Sequence, residues 1–85
     1  MIKTHTFKTK VAANGQCYKL VSHKRGICCP PSIDCASTFS VVKVDTLNRH
    51  RDPSRLEIRK GLVWCDEYSD EAFDFFEAAG EPEED

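Results

Sequence analysis

Apolar and polar positions alternate with a period of two from His5 to Val11, so that His5, Phe7, Thr9 and Val11 share a face; a second run follows Asn14-Gly15. Asn-Gly suits the two positive-φ positions of a type I′ turn, and residues 5–22 therefore read as a β-hairpin. A two-residue loop pairs Val11 with Tyr18, Thr9 with Leu20 and Phe7 with Ser22, gathering Phe7, Val11, Tyr18 and Leu20 on one face. The other face then carries Lys8, Lys10, Cys17, Lys19 and Val21, with Lys10 directly opposite Lys19.

Residues 23–37 break the alternation. Gly26, Pro30 and Pro31 mark a loop, and the prolines bias Cys29 toward an extended backbone. Residues 38–47 are rich in Thr, Val and Phe and read as a strand, in which Val41 and Val42 point to opposite faces; a strand covered on both sides, or one with a bulge, has this pattern. Residues 48–55 form a basic turn, and residues 56–65 resume strand character with a bulge or tight turn near Gly61. A helix starts with Ser69 as N-cap, Asp70 and Glu71 in its first turn and Tyr68 stapled onto Phe73. Ala72, Phe75, Phe76 and Ala79 follow its apolar stripe, and Gly80 stops it. The expected fold is α+β: an antiparallel sheet of about four strands (hairpin, cysteine-rich loop, two further strands) with one C-terminal helix packed on it. Residues 1–80 form one small domain, and 81–85 form a disordered acidic tail.

Charge changes this picture more than composition does. All twelve Lys and Arg lie in residues 1–60 against four carboxylates, whereas residues 66–85 hold ten carboxylates and no base. Such polarity points to electrostatic partners, or to two halves that neutralise one another. The lysine-bearing N-terminus lacks the apolar run of a signal peptide, and no apolar stretch approaches the ~18 residues of a membrane span. A cytoplasmic protein with reduced cysteines is expected.

The cysteines are Cys17, Cys28, Cys29, Cys35 and Cys65. Structural zinc wants four thiolate or imidazole ligands, usually as two C-x₂₋₄-C pairs, and no such pair occurs. An irregular site would draw on Cys17, one of Cys28 and Cys29, Cys35, and His23 or Cys65. Three states stay open: one structural zinc, a disulfide, or inert burial with no cofactor. No phosphate-binding loop, dinucleotide fingerprint, zinc-protease motif or nucleophile elbow is present, and the chain is read as non-enzymatic.

Two functions fit. In the first, a regulatory or inhibitor-type protein docks on a partner with a basic surface through its acidic, Phe-rich C-terminal helix. Phe73, Phe75 and Phe76 supply the anchors and Glu71, Asp74 and Glu77 the charge. Phe73 and Phe75 stand about 200° apart on a helix, so the rings cannot all enter one core. In the second, Lys8, Lys10, Lys19, Lys24, Arg25, Arg49, Arg51 and Arg55 track a nucleic-acid backbone, with the acidic tail competing for them.

Overall fold

A computed structural model describes residues 4–81. Four strands, β1 (His5–Val11), β2 (Cys17–Ser22), β3 (Phe39–Val44) and β4 (Leu62–Asp66), form one antiparallel sheet in the order β1-β2-β3-β4. Helix α1 (Arg55–Gly61) precedes β4 and helix α2 (Ser69–Ala78) follows it. The fold is α+β, with α2 packed on the sheet as the apolar pattern requires. The acidic tail expected at 81–85 lies outside the described residues except for Glu81.

The sheet is covered on both faces. Tyr18, Leu20 and Val41 meet Ala72, Phe76 and Ala79 of α2 and its C-terminal flank, with Phe39, Val63, Phe73 and Phe75 packed around them. On the opposite face Cys17, Val21, Val42 and Val44 meet Ile58 of α1 and Ile27 and Cys28 of the β2–β3 loop. Val41 and Val42 serve one core each, which explains the doublet in the middle of a strand.

The hairpin differs from its expected register by one residue. Val11 pairs with Cys17, Lys10 with Tyr18 and Lys8 with Leu20. Ala12 N–H donates to the Gln16 carbonyl, and Asn14 Oδ1 accepts from Gln16 N–H. Among the described residues no non-glycine residue has a positive φ, so the left-handed position of this three-residue loop falls to Gly15 alone, at φ 82°. Asn14 uses its side chain to close the turn instead of its tolerance for positive φ. The slip moves Lys8 and Lys10 to the α2 face and leaves Lys19 on the other, so Lys10 and Lys19 are not opposed. A bulge between Thr6 and Lys8 lets Phe7 keep its place beside Phe39 and Phe73.

The strand expected over 56–65 is confined to Leu62–Asp66, because residues 55–61 are helical. A capping box decides this: Ser54 Oγ accepts from Glu57 N–H, and the Glu57 carboxylate accepts from Ser54 N–H. Only Ile58 of this helix is buried, while Leu56 is 74% exposed, so the apolar period of so short a helix is faint. Gly61 ends it where β4 turns back along β3. A Cβ there would collide with the Lys43 carbonyl, so glycine is required by close approach. In α2 the N-cap is Tyr68, without a side-chain cap bond, and Ser69 is the first helical residue. Asp66 Oδ1 accepts from Tyr68 N–H, and the Tyr68 ring is 65% exposed rather than stapled inward. The expected stop holds, with Gly80 at φ 70°.

Two substitutions test this account by urea unfolding. Ser54→Ala removes one cap bond and should cost about 1 kcal/mol. Gly61→Ala drives a methyl into the β3 backbone and should cost clearly more. Equal losses would mean that Gly61 is not a contact point.

Candidate functional site

Residues 23–38 join β2 to β3 without forming a strand or helix. Their backbone bonds nonetheless hold a definite path. His23 N–H donates to the Thr38 carbonyl, Gly26 N–H to Ser37, Ile27 N–H to Lys24, and Cys29 N–H to Gly26. Gly26 sits at φ 78°, and a Cβ on it would meet the Cys35 carbonyl oxygen at 2.7 Å, so the two limbs of the loop touch here. From α1, Arg59 Nε–H donates to the Ile27 carbonyl at 3.0 Å and ties the loop to the core.

This path delivers Cys28, Cys29 and Cys35 to Cys65, whose residue in β4 pairs with Ser40 of β3. All four sulfurs lie within 4.8 Å of one another, a group that can hold a metal ion. Cys28 Sγ is 3.7 Å from Cys29 Sγ and 3.7 Å from Cys35 Sγ. All five cysteines are free. Burial pushes the Cys28 thiol up, and the Cys29 thiol rises to about 11, chiefly through its hydrogen bond with Cys35. The Ser37 hydroxyl and backbone amide hold the Cys35 thiol down to about 7.

The two other ligand candidates from the sequence stand apart. Cys17 is enclosed in the core with Val21, Val42 and Val44. His23 is bonded at both ring nitrogens: Nδ1 lies 2.9 Å from the Lys24 carbonyl and Nε2 2.6 Å from Ser40 Oγ. A carbonyl can only accept, so Nδ1 carries the proton and the Ser40 hydroxyl donates to Nε2. No lone pair is left for a metal. Adjacent cysteines, expected to compete for one ion, both face the same centre.

A second constellation lies on the α2 side, at the junction of β4 and α2. Trp64 stacks on Phe75 with ring centroids 4.7 Å apart and planes 12° apart, and it remains 41% exposed. Two residues along β4, Asp66 approaches Glu71, which sits one helical turn before Phe75. The Tyr68 backbone N–H and the Glu71 side chain hold the Asp66 carboxyl below the usual range; Asp66, and more weakly Asp74, push Glu71 above it. Among the described residues no Lys or Arg forms an ion pair with Asp66, Glu71 or Asp74.

The remaining α2 residues have other duties. Phe76 is 2% exposed and belongs to the core; Phe73 lies on the opposite flank from Phe75, against Phe7. Glu77 accepts from Lys8 Nζ at 3.0 Å, and Glu81 pairs with Lys10 Nζ at 3.5 Å. Lys8 and Lys10 also lie over the Phe73 and Phe76 rings, 5.3 and 5.2 Å from their centroids. Lys19 is 2% exposed and its Nζ donates to the Arg51 carbonyl at 2.7 Å. Arg51 forks onto Glu57 at 2.9 and 3.0 Å. Of the eight residues proposed to follow a nucleic acid, Lys24, Arg25, Arg49 and Arg55 are the exposed ones with no ion pair among the described residues.

Trp64 and Asp66 were not singled out as site residues by the sequence. The available signal was the alternation around Cys65, which turns Trp64 and Asp66 together to one face once that segment is a strand. Compared with protein-family models, curated proteins and solved structures, the chain matches none. No helix of the described residues is long and apolar enough to cross a membrane.

The buried imidazole carries a pH signature. Desolvation holds His23 below its ordinary 6.5, so the unfolded chain takes up this proton more readily than the folded one. Stability from this group is present above about pH 6.5 and is lost as pH falls through the lower folded value. Urea midpoints at about pH 5.5 and about pH 7.5 should differ less in His23→Gln than in the parent; an unchanged difference would remove His23 as its source.

Proposed function

We propose that the protein is a non-catalytic docking module that takes a basic segment of a partner protein on Trp64, Asp66, Glu71 and Phe75. The observation that carries this reading is the stacked Trp64–Phe75 pair beside carboxylates that no base among the described residues neutralises. An exposed indole offers a flat surface to an arginine or lysine side chain, and adjacent carboxylates receive the charged head. The upward push on Glu71 comes first from its hydrogen bond to Asp66 and then from repulsion between the two carboxylates, which an incoming cation would relieve.

Charge placement favours a protein over a nucleic acid. The same helix that bears the acidic patch ties up Lys8 and Lys10 through Glu77 and the neighbouring Glu81, and the core encloses Lys19. This weighs against the hairpin as a phosphate-tracking surface. In this reading Phe75 is the helix's anchor, while Phe73 and Phe76 hold the helix to the sheet.

Trp64 is the single tryptophan, so its fluorescence reports on the patch directly. Titration with an arginine-rich peptide should change Trp64 emission, with affinity falling as salt rises. Glu71→Lys and Phe75→Ala should each weaken binding about tenfold, or ~1.4 kcal/mol, while leaving the circular dichroism spectrum intact. Unaltered affinity in both variants would overturn the assignment. So would preferential capture of single-stranded nucleic acid that is lost on changing Arg49 and Arg55 to Glu.

A further inference from the structure

A free cysteine buried as a small apolar residue needs only apolar neighbours. The cluster at Cys28, Cys29, Cys35 and Cys65 has a more specific arrangement. Its members come from a turn, from the far limb of the same loop and from an edge strand, yet their sulfurs converge within 4.8 Å. A zinc ion bonded to four thiolates at ~2.3 Å separates its sulfurs by about 3.8 Å along each tetrahedral edge. Cys28 already stands 3.7 Å from two of its partners. Those separations are far beyond the ~2.05 Å of a disulfide bond.

We propose that Cys28, Cys29, Cys35 and Cys65 hold one Zn2+ in a closed, structural tetrathiolate site. Four sulfur donors select a soft or borderline metal over magnesium or calcium, and a site filled by four protein ligands has no open position for chemistry. On ligation each thiol gives its proton to solvent and each sulfur donates a lone pair to the ion; no oxidation state changes. The complex carries a charge of −2. Arg59, donating to the Ile27 carbonyl one residue before Cys28, places a cation beside it, and Lys24 and Arg25 lie in the same loop.

The gain falls where the fold needs it. Residues 23–38 lack a strand or helix of their own, and the core beneath them rests on few large side chains: Ile27, Ile58, and valines of the sheet. Binding an ion that the unfolded chain does not hold in this geometry stabilises the fold directly, as small domains commonly require.

The test starts with the unaltered protein, purified reduced and without added chelator. Native mass spectrometry should show one zinc per chain that is lost on denaturation, and X-ray absorption at the zinc edge should show four sulfurs at about 2.3 Å. Replacement by Co2+ should give the visible bands of a tetrahedral thiolate complex. Changing Cys35 or Cys65 to Ser should reduce zinc content from one to near zero, whereas Cys17→Ala should keep it. Iron in the site, nitrogen or oxygen among the ligands, or a reduced protein that takes up no zinc would each overturn the proposal. The absorption measurement needs no variant, so misfolding of a cysteine mutant would not obscure the answer.

Discussion

The ladder between β2 and β3 is the contact on which the molecule depends. It runs without a break from Cys17–Val44 to Ser22–Phe39, and side chains from both strands fill both cores. Leu20, Val21, Val41 and Val42 are fully buried, two on each side, and each contributes on the order of 1.5–3 kcal/mol by leaving water. Strands β1 and β4 extend this pair sideways, and the helices and the β2–β3 loop cover its two faces. The α2 cover is built from aromatic rings. The other consists of one short helix, one loop and a set of sulfurs, a thin layer for a chain whose length already limits how much surface it can bury.

This difference bears on what the sequence revealed. The hairpin, β3 and α2 could be read because their apolar spacing is imposed by a face they cover, and Val41-Val42 announced a strand with two buried sides. Helix α1 could not be read from period, since Ile58 is its one buried residue; the cue was Ser54 with Glu57 three positions later. Register failed for a different reason. Asn14-Gly15 is compatible with a two- or a three-residue loop, and the choice lies in whether Asn14 supplies a positive φ or a side-chain acceptor. That single choice moves Lys8 and Lys10 to the other face and separates them from Lys19. Membership of the thiol cluster was legible in part: Cys35, Cys65 and one of Cys28 and Cys29 were candidates, but Cys17 and His23 could not be told from them, because separation along the chain says little once a loop folds back, as Gly26 and the Cys35 carbonyl do.

The charge polarity of the sequence is resolved in two ways. Part is internal, because Lys8 and Lys10 meet Glu77 and Glu81 across the hairpin–helix contact and the cations rest on the faces of the Phe73 and Phe76 rings. Such exposed pairs contribute little stability. The other part stays unbalanced at Asp66, Glu71 and Asp74, at the opposite flank of the same helix. A chain that neutralises one flank and leaves the other charged has a direction, and the proposed docking patch lies at its charged end.

Among the described residues strand β4 pairs on one side only, with β3, and beyond a bulge at Val63 its side chains alternate between the two layers from Trp64 to Asp66. Cys65 turns toward the other thiols while Trp64 and Asp66 turn away from them, one position on either side. Such a segment would ordinarily fray, and a ligand arriving there would spend part of its affinity on ordering it, about 0.5–1.5 kcal/mol for each side chain immobilised. In the proposed zinc-bound form, an anchor at Cys65 would meet that entropy cost during folding. The indole and its carboxylate neighbour would then be held rigid by a bond formed on the far side of the sheet, and the proposed recognition would use a preorganised surface.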